Sequence, residues 1–266
     1  MSSVSDSSIY DALHEALDGE EPVVLATVVQ GPNVGAKLLA GPLRATLGTL
    51  GDPDLDRVVT RDALGELESG RSGVRHYGPH GEAREDAVSV FVESFAPPPQ
   101  MWIFGAVDFT AALAKVAKVL GYRVTVCDAR PVFATSQRFP RADEVVVSWP
   151  NDLIAERGHE LGPRDAICVL THDAKFDVPA IVAALPTAVG YLGAMGSRRT
   201  HADRCKRLRE EGVTAAEIDR IMGPIGLDIG ARTPEETAIS IVAEIIAMRT
   251  GRVAPSLRDT AGDIHR

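Results

Sequence analysis

Apolar and polar positions along the chain fall into two regimes that meet near residue 96. Before it, short alternating or β-branched runs mix with two helical patterns. Ile9, Ala12, Leu13, Ala16 and Leu17 follow helical spacing, which predicts a helix over 8–17 ended by Gly19. Val23–Val29 reads as a strand, and Gly31-Pro32-Asn33 as a turn. Runs 36–40 and 44–47 form a hairpin about Gly41-Pro42. Leu55, Val58, Val59, Ala63 and Leu67 share one face of a helix over 55–67, with Gly70 as its stop. Strands over 74–77 and 87–95 complete a small α+β domain at 1–96.

Ala96-Pro97-Pro98-Pro99-Gln100 marks the boundary, with 97–100 as a proline linker favouring extended backbone. Beyond it, strands and helices alternate. Strands are expected at 101–106, 123–127, 144–147, 167–170 and 188–192, and helices at 111–120, 154–157, 178–185 and 198–210. Thr233-Pro234-Glu235-Glu236 is a capping box with proline at the first helical position, opening a last helix over 234–248. The tail after Gly251 is polar. Alternation of this kind implies parallel crossovers, so 101–250 is expected to be a Rossmann-like doubly wound α/β domain.

Such a sheet builds its site where strands end in polar or glycine-rich turns. Three segments do so. One strand stops at Thr171-His172-Asp173, and Lys175 follows close by. Another stops at Met195-Gly196-Ser197-Arg198-Arg199. The octet Pro224–Ala231 carries Gly226 and Gly230. His172 can shuttle a proton or bond a heterocycle, while Asp173 can equally cap the next helix. Gly196, Ser197, Arg198 and Arg199 gather free N–H groups, a hydroxyl and two guanidiniums at a helix start, which suits an anion or is plain solvated surface. A loop like Pro224–Ala231 either approaches a ligand or makes a tight corner.

The dinucleotide fingerprint that should follow the 101–106 strand is degraded. Gly105-Ala106-Val107-Asp108 keeps one glycine, and Val107 fills the space a pyrophosphate needs. Asp108 puts negative charge at a helix N-terminus. Asp128, at the end of the second strand, does match an acid that would hold a ribose hydroxyl. NAD(P) is therefore conceivable but disfavoured by Val107 and Asp108.

Composition narrows the classes. The chain has 266 residues, 45% of them apolar and 24% charged, which is ordinary for a globular protein. A net charge of −9 argues against nucleic acid as a main partner. No apolar run is long enough to span a bilayer, and the serine-rich start lacks the basic cluster of a secretory signal, so no membrane partner and a cytoplasmic location are expected. Cys127, Cys168 and Cys205 are widely spaced and show no zinc or disulfide pattern; Cys127 and Cys168 sit in apolar runs and read as buried inert thiols. No nucleophile elbow, P-loop or HExxH occurs, and no metal ligand set is expected.

The order of the segments carries a resemblance. Ile103–Ala106, Leu120–Arg130, Thr171-His172-Asp173, Tyr191–Arg199, Pro224–Ala231 and Thr233–Glu236 resemble the C-terminal domain of the xanthine dehydrogenase accessory (XdhC/CoxI) family. Leu25–Val29, Gly35–Leu38, Gly48–Gly51 and Leu55-Asp56 are similar to the family's smaller domain. The chain departs from the family at Asp108, where a histidine is common, and at Gly51–Asp56, where a cysteine-bearing glycine segment is common. The resemblance implies a maturation chaperone rather than a catalyst. It would bind molybdenum cofactor (molybdopterin), support its sulfuration and hand it to a molybdenum hydroxylase of the xanthine or carbon monoxide dehydrogenase type. Gly105, Asp128, Thr171, His172, Asp173, Gly196, Ser197, Arg198, Arg199, Gly226 and Gly230 would line the cofactor site. A cysteine desulfurase is a possible further partner, and a proline-linked small domain allows a homodimer. The alternatives are an NAD(P)-dependent oxidoreductase of unknown substrate and a non-binding scaffold for the client.

Overall fold

The structure is a computed structural model that describes residues 6–83 and 85–261. These form two compact units that divide between Pro97 and Pro98.

In the smaller unit, α1 (Asp6–Asp18) precedes β1 (Val23–Gln30), β2 (Lys37–Gly41), β3 (Arg44–Gly48), α2 (Pro53–Ser69), β4 (Gly73–Tyr77) and β5 (Val88–Phe95). The strands pair antiparallel in the order β3-β2-β1-β5-β4. Period-two alternation on β1 sorts its side chains to two faces. Val24, Ala26 and Val28 meet Leu55, Val59, Ala63 and Leu67 of α2. Val23 and Leu25 meet Ile9 and Ala16 of α1. Asp52 caps α2 through the backbone N–H groups of Asp54 and Leu55, Pro53 occupies its first turn, and left-handed Gly70 closes it.

The larger unit runs β6 (Gln100–Phe104), α3 (Asp108–Val119), β7 (Arg123–Cys127), β8 (Glu144–Val146), α4 (Pro150–Arg157), β9 (Ala166–Val169), α5 (Ala174–Ala184), β10 (Tyr191–Ala194), α6 (Arg198–Glu210), α7 (Ala215–Ile218), β11 (Ile221–Met222) and α8 (Pro234–Thr250). All six strands of its sheet are parallel, in the order β11-β10-β9-β6-β7-β8. The chain winds one way from β6 and then returns to its other side, which is the Rossmann order with the switch point between β6 and β9. Both faces are covered, so β6 is apolar and buried from Met101 to Phe104. Met101 and Ile103 pack towards α3 and α8, and Trp102 and Phe104 towards α4 and α5.

The fold departs from the sequence expectations at several elements, among them α3, which starts at Asp108 rather than at 111, and β6, which ends at Phe104 rather than at 106. The expected strand 188–192 is Tyr191–Ala194, whose ladder begins at Tyr191 opposite Ala166, just after Gly190 packs close to the Pro163 carbonyl. Helices α4 and α5 start four residues earlier than their apolar spacing suggests, at Pro150 and Ala174. The four-residue α7 and two-residue β11 are too short to leave a periodic signal.

One buried ion pair ties the carboxyl edge of this sheet together. Asp177 of α5 and Arg204 of α6 each have side chains only 3% exposed and meet at 2.8 Å. The same guanidinium nitrogen donates to the Met195 carbonyl just past β10 at 2.6 Å, and the Thr171 hydroxyl past β9 donates to the other Asp177 oxygen. Two strand ends and two helices are thus locked through three side chains. Removing one partner leaves an uncompensated buried charge, which costs about 3–5 kcal/mol. Arg204→Met should therefore lower the urea-unfolding free energy of the larger unit by roughly that amount. The double variant Asp177→Leu/Arg204→Met should recover much of the loss; a double variant as unstable as the sum of the singles would show that the pair is not the source.

Candidate functional site

The switch-point turn is built for protein packing rather than for a pyrophosphate. Gly105 has φ +110°, and a Cβ there would stand 2.9–3.1 Å from the side chain and backbone of Thr171. The glycine that a fingerprint would offer to a phosphate is closed off by the end of β9. Val107 is the N-cap residue of α3 and makes no side-chain cap; the Thr110 hydroxyl instead donates to the Gly105 carbonyl. Asp108 projects outward, with its side chain 91% exposed and Arg138 at 4.0 Å.

Asp128 is buried and its oxygens already have partners. One accepts from the Ala106 N–H at 2.8 Å and from Arg130 Nη2 at 2.7 Å. The other accepts from the Arg130 N–H at 2.9 Å and Arg130 Nε at 2.8 Å. Burial alone would raise its pKa, yet the Arg130 guanidinium and the two N–H groups hold it below the ordinary aspartate value. Arg130 in turn is raised by Asp128 and lies within the field of Asp173. Its guanidinium packs 4.6 Å from the Phe133 ring centroid. The acid expected on a ribose instead braces the turn after β6.

Beyond β9 the chain turns through His172, a non-glycine residue at φ +58°. That backbone state is uncommon for a residue with a side chain and is worth a functional question. His172 and Asp173 are both exposed, and Asp173 caps α5 by accepting from the Lys175 N–H at 2.9 Å. The two face a cleft of about 470 Å³ whose other wall is Thr200, Asp203, Arg204 and Arg207 of α6, with Asp177 beneath. Arg204 Nη1 is buried and has no hydrogen-bond partner among the described residues. A buried unpaired N–H is costly, so a cleft wall that contains one favours a ligand or water that can accept from it.

Ser197 caps α6 through the Thr200 N–H at 3.0 Å. Arg198 points outward, 88% exposed, and reaches Asp228 of the Pro224–Ala231 loop at 3.7 Å. Gly196 has φ +145°, and a Cβ there would crowd Thr200. Gly226 serves a corner: its N–H donates to Glu244 at 2.9 Å, which also accepts from the Tyr191 hydroxyl at 2.6 Å. A Cβ on Gly226 would meet Ser240 Oγ at 2.5 Å. Gly230 sits at φ +74° in open space.

The first two segments meet through α6, and the third touches the second at an exposed pair without lining the cleft. Thr171 reaches α6 through Asp177 and Arg204, and Arg198 reaches the third segment through Asp228. Neither Arg198 nor Arg199 lines the cleft beside His172; Arg204 and Arg207 of the same helix do. Sequence reasoning missed Asp177, Asp203, Arg204 and Arg207. The signal was the buried face of α6, where Arg204 falls in register with Cys205 and Leu208. An arginine on an apolar face asks for a buried acid. It also missed Trp149, whose ring lies 4.9 Å from that of Phe176 with Lys175 Nζ 4.9 Å from its centroid, near the starts of α4 and α5. His201 was missed as well. Its Nδ1 is buried without a partner among the described residues, and Gly223 has no Cβ because the His201 ring occupies that space. Burial and Arg204 lower the pKa of His201.

All three cysteines are buried and free. Burial pushes the Cys127 thiol up to about 12 and Cys168 higher still, so both are inert as expected. Among the described residues there is no His/Cys/Asp/Glu group that could hold a metal ion, and no helix long and apolar enough to cross a membrane.

Comparison with known proteins matches residues 101–245 to the XdhC Rossmann domain and residues 16–78 to the XdhC and CoxI family. The chain is 34% identical over 165 residues to a Bacillus subtilis protein described as a probable component of xanthine dehydrogenase, covering 62% of this chain and 47% of that one. It is 28% identical over 159 residues to the Escherichia coli molybdenum cofactor insertion chaperone PaoD, covering 60% and 43%. The chain thus spans less than half the length of these curated relatives. A crystal structure described as a xanthine dehydrogenase from Bacillus halodurans shares the fold with a TM-score of 0.55 at 22% identity, over 92% of this chain and 97% of that one. With the Rossmann strand order and the strand-end segments now placed on the family's own span, this chain belongs to the XdhC family.

Proposed function

We propose that the chain is an accessory factor that holds the molybdenum cofactor as cargo and passes it to a molybdenum hydroxylase. The observation that carries this reading is the mixed cleft beside His172. Its carboxylates, Asp173 and Asp203, suit the N–H edge of an aminopyrimidinone such as the pterin ring. Its guanidiniums, Arg207 and the partly unpaired Arg204, suit oxygen acceptors. The helix start at Ser197–Arg199 lies on the same sheet edge and suits the cargo's phosphate. The description of PaoD as a cofactor insertion chaperone and of the Bacillus subtilis relative as part of a xanthine dehydrogenase supports both the cargo and the class of client. Support of sulfuration and docking of a cysteine desulfurase belong to the same proposal and follow from the cargo's route; a homodimer, which the proline-linked small unit allows, and a cytoplasmic setting belong to it as well.

The chain's own residues then hold and orient. His172, set at positive φ, presents its ring at the cleft mouth, where it can bond the heterocycle or shuttle a proton. The Asp177–Arg204 pair keeps the α5 and α6 walls in place, so the cleft does not have to be ordered when cargo arrives.

A nicotinamide nucleotide at the first turn is the second reading, and the engagement of Asp128 by Ala106 and Arg130 weighs against it. Incubated with free cofactor and desalted, the wild-type chain should retain pterin, read by the fluorescence of its oxidised form. His172→Ala with Asp203→Asn should cut retention by at least about tenfold, the worth of one or two hydrogen bonds. Wild-type protein that retains nothing, or a variant that retains as much, would end the cargo reading. Millimolar NAD(P)H should show no saturable binding, and saturable binding lost in Asp128→Ala would revive the nucleotide reading.

Asp128 also predicts a pH dependence. Its folded pKa lies below the unfolded value of about 4, so its stabilisation is full at neutral pH and lost as pH falls through the folded value. Arg130→Gln removes the principal stabilising partner. The melting temperature of the variant should trail wild type most at pH 7, and the gap should narrow below about pH 4. A constant gap across that range would place the effect elsewhere.

A further inference from the structure

The smaller unit has a cleft of its own, lined mainly by α2 and β4 and about 500 Å³ in volume. That is the size of an ordinary small-molecule site. Its charged groups are Arg61, Arg71 and Arg75 against Asp62 and Glu66, with His76 at the rim. Three guanidiniums over two carboxylates leave an excess positive charge on a chain whose net charge is −9.

Glu66 organises the cleft. Its side chain is 10% exposed, and it clamps two arginines at once, Arg71 Nε at 3.0 Å and Arg75 Nη2 at the other oxygen. Burial alone would push its carboxyl up, but the two guanidiniums hold it below the ordinary range. Each arginine commits one donor to this clamp. The terminal nitrogens of Arg71, and Nε and Nη1 of Arg75, have no further partner among the described residues. The Tyr77 hydroxyl lines the same wall, 3.4 Å from Asp62. Burial, then Asp62, pushes it up to about 12, so it remains a neutral donor.

Gly65 supplies an independent observation. It lies inside α2, where glycine is the poorest helix former after proline. A glycine in a helix usually answers a close neighbour, yet a Cβ on Gly65 would meet nothing within 4 Å. Gly65 instead lines the cleft. The cost to the helix falls at a position that opens onto the cleft.

We propose that this cleft binds a phosphate-bearing small molecule, with Arg71 and Arg75 as its paired receptors and Gly65 as the opening that admits it. The free nitrogens of two guanidiniums suit the three terminal oxygens of a phosphate monoester, which can receive both arginines at once, better than the two oxygens of a carboxylate. Because Glu66 already orders both side chains, little rotamer freedom is lost on binding. The proposal uses residues of the smaller unit alone, so its failure would leave the cargo reading untouched.

The test uses the full chain labelled with nitrogen-15 and follows the arginine Nε–H signals during titration with inorganic phosphate. The signals of Arg71 and Arg75, identified by their loss in Arg71→Lys and Arg75→Lys, should shift together and saturate. Sodium chloride at matched ionic strength should not reproduce the shifts. Gly65→Leu, which fills the cleft and leaves every charge in place, should weaken binding at least tenfold with a melting temperature no lower than wild type. Arg75→Gln should weaken it comparably. Shifts that never saturate, shifts that chloride reproduces, or wild-type affinity in Gly65→Leu would overturn the proposal.

Discussion

The carboxyl edge of the larger unit depends on the buried pair Asp177–Arg204. Strands β9 and β10 end there and must hand the chain to α5 and α6 without leaving their terminal groups unpaired. Arg204 takes the Met195 carbonyl, Asp177 takes the Thr171 hydroxyl, and the two charges neutralise each other. A hydrophobic pair of equal volume could give similar stability, since burying charges is expensive. It could not bond both strand ends or leave a guanidinium in a cleft wall. The pair therefore serves geometry more than energy, and the cleft beside His172 inherits its shape from it.

This constraint explains how a Rossmann sheet comes to favour a site displaced from the nucleotide position. The strand order that creates a crevice at β6 and β9 is intact. Thr171 presses against Gly105, and Arg130 saturates Asp128, so the first turn is filled from both sides. The walls that remain open belong to α5 and α6. Fold and site are separable here: the sheet supplies helix starts at one edge, and side-chain packing decides which of them faces a ligand.

The sequence made the architecture legible because its signals are strong and local. Apolar runs flanked by glycine located the strands, and the helix expected over 198–210 is the one observed, bounded by the Ser197 cap. The capping box at Thr233–Glu236 is present as read. The site was legible only in outline. Which face of α6 turns inward cannot be seen from the density of arginines at its start, where Arg198 stands exposed beside Asp228. The deciding residue was Arg204, marked only by its register with Cys205 and Leu208. Corner glycines carry the same ambiguity. Gly226 reads alike whether a ligand or Ser240 stands against it, and the difference lies in a long-range contact that periodicity does not encode.

The two units reach a common solution from unrelated sheets. In each, a carboxylate withdrawn from solvent holds an arginine at the wall of a cleft: Asp177 holds Arg204, and Glu66 holds Arg71 and Arg75. An arginine alone on a surface samples many rotamers and binds an anion weakly for that reason. Anchored by one donor on an internal acid, it keeps the remaining donors in fixed directions. The cost is desolvation of the acid, which each pair offsets with multiple hydrogen bonds. The glycine inside α2 then has a place in the same scheme, because a receptor ordered in advance is useful only where the space in front of it stays open.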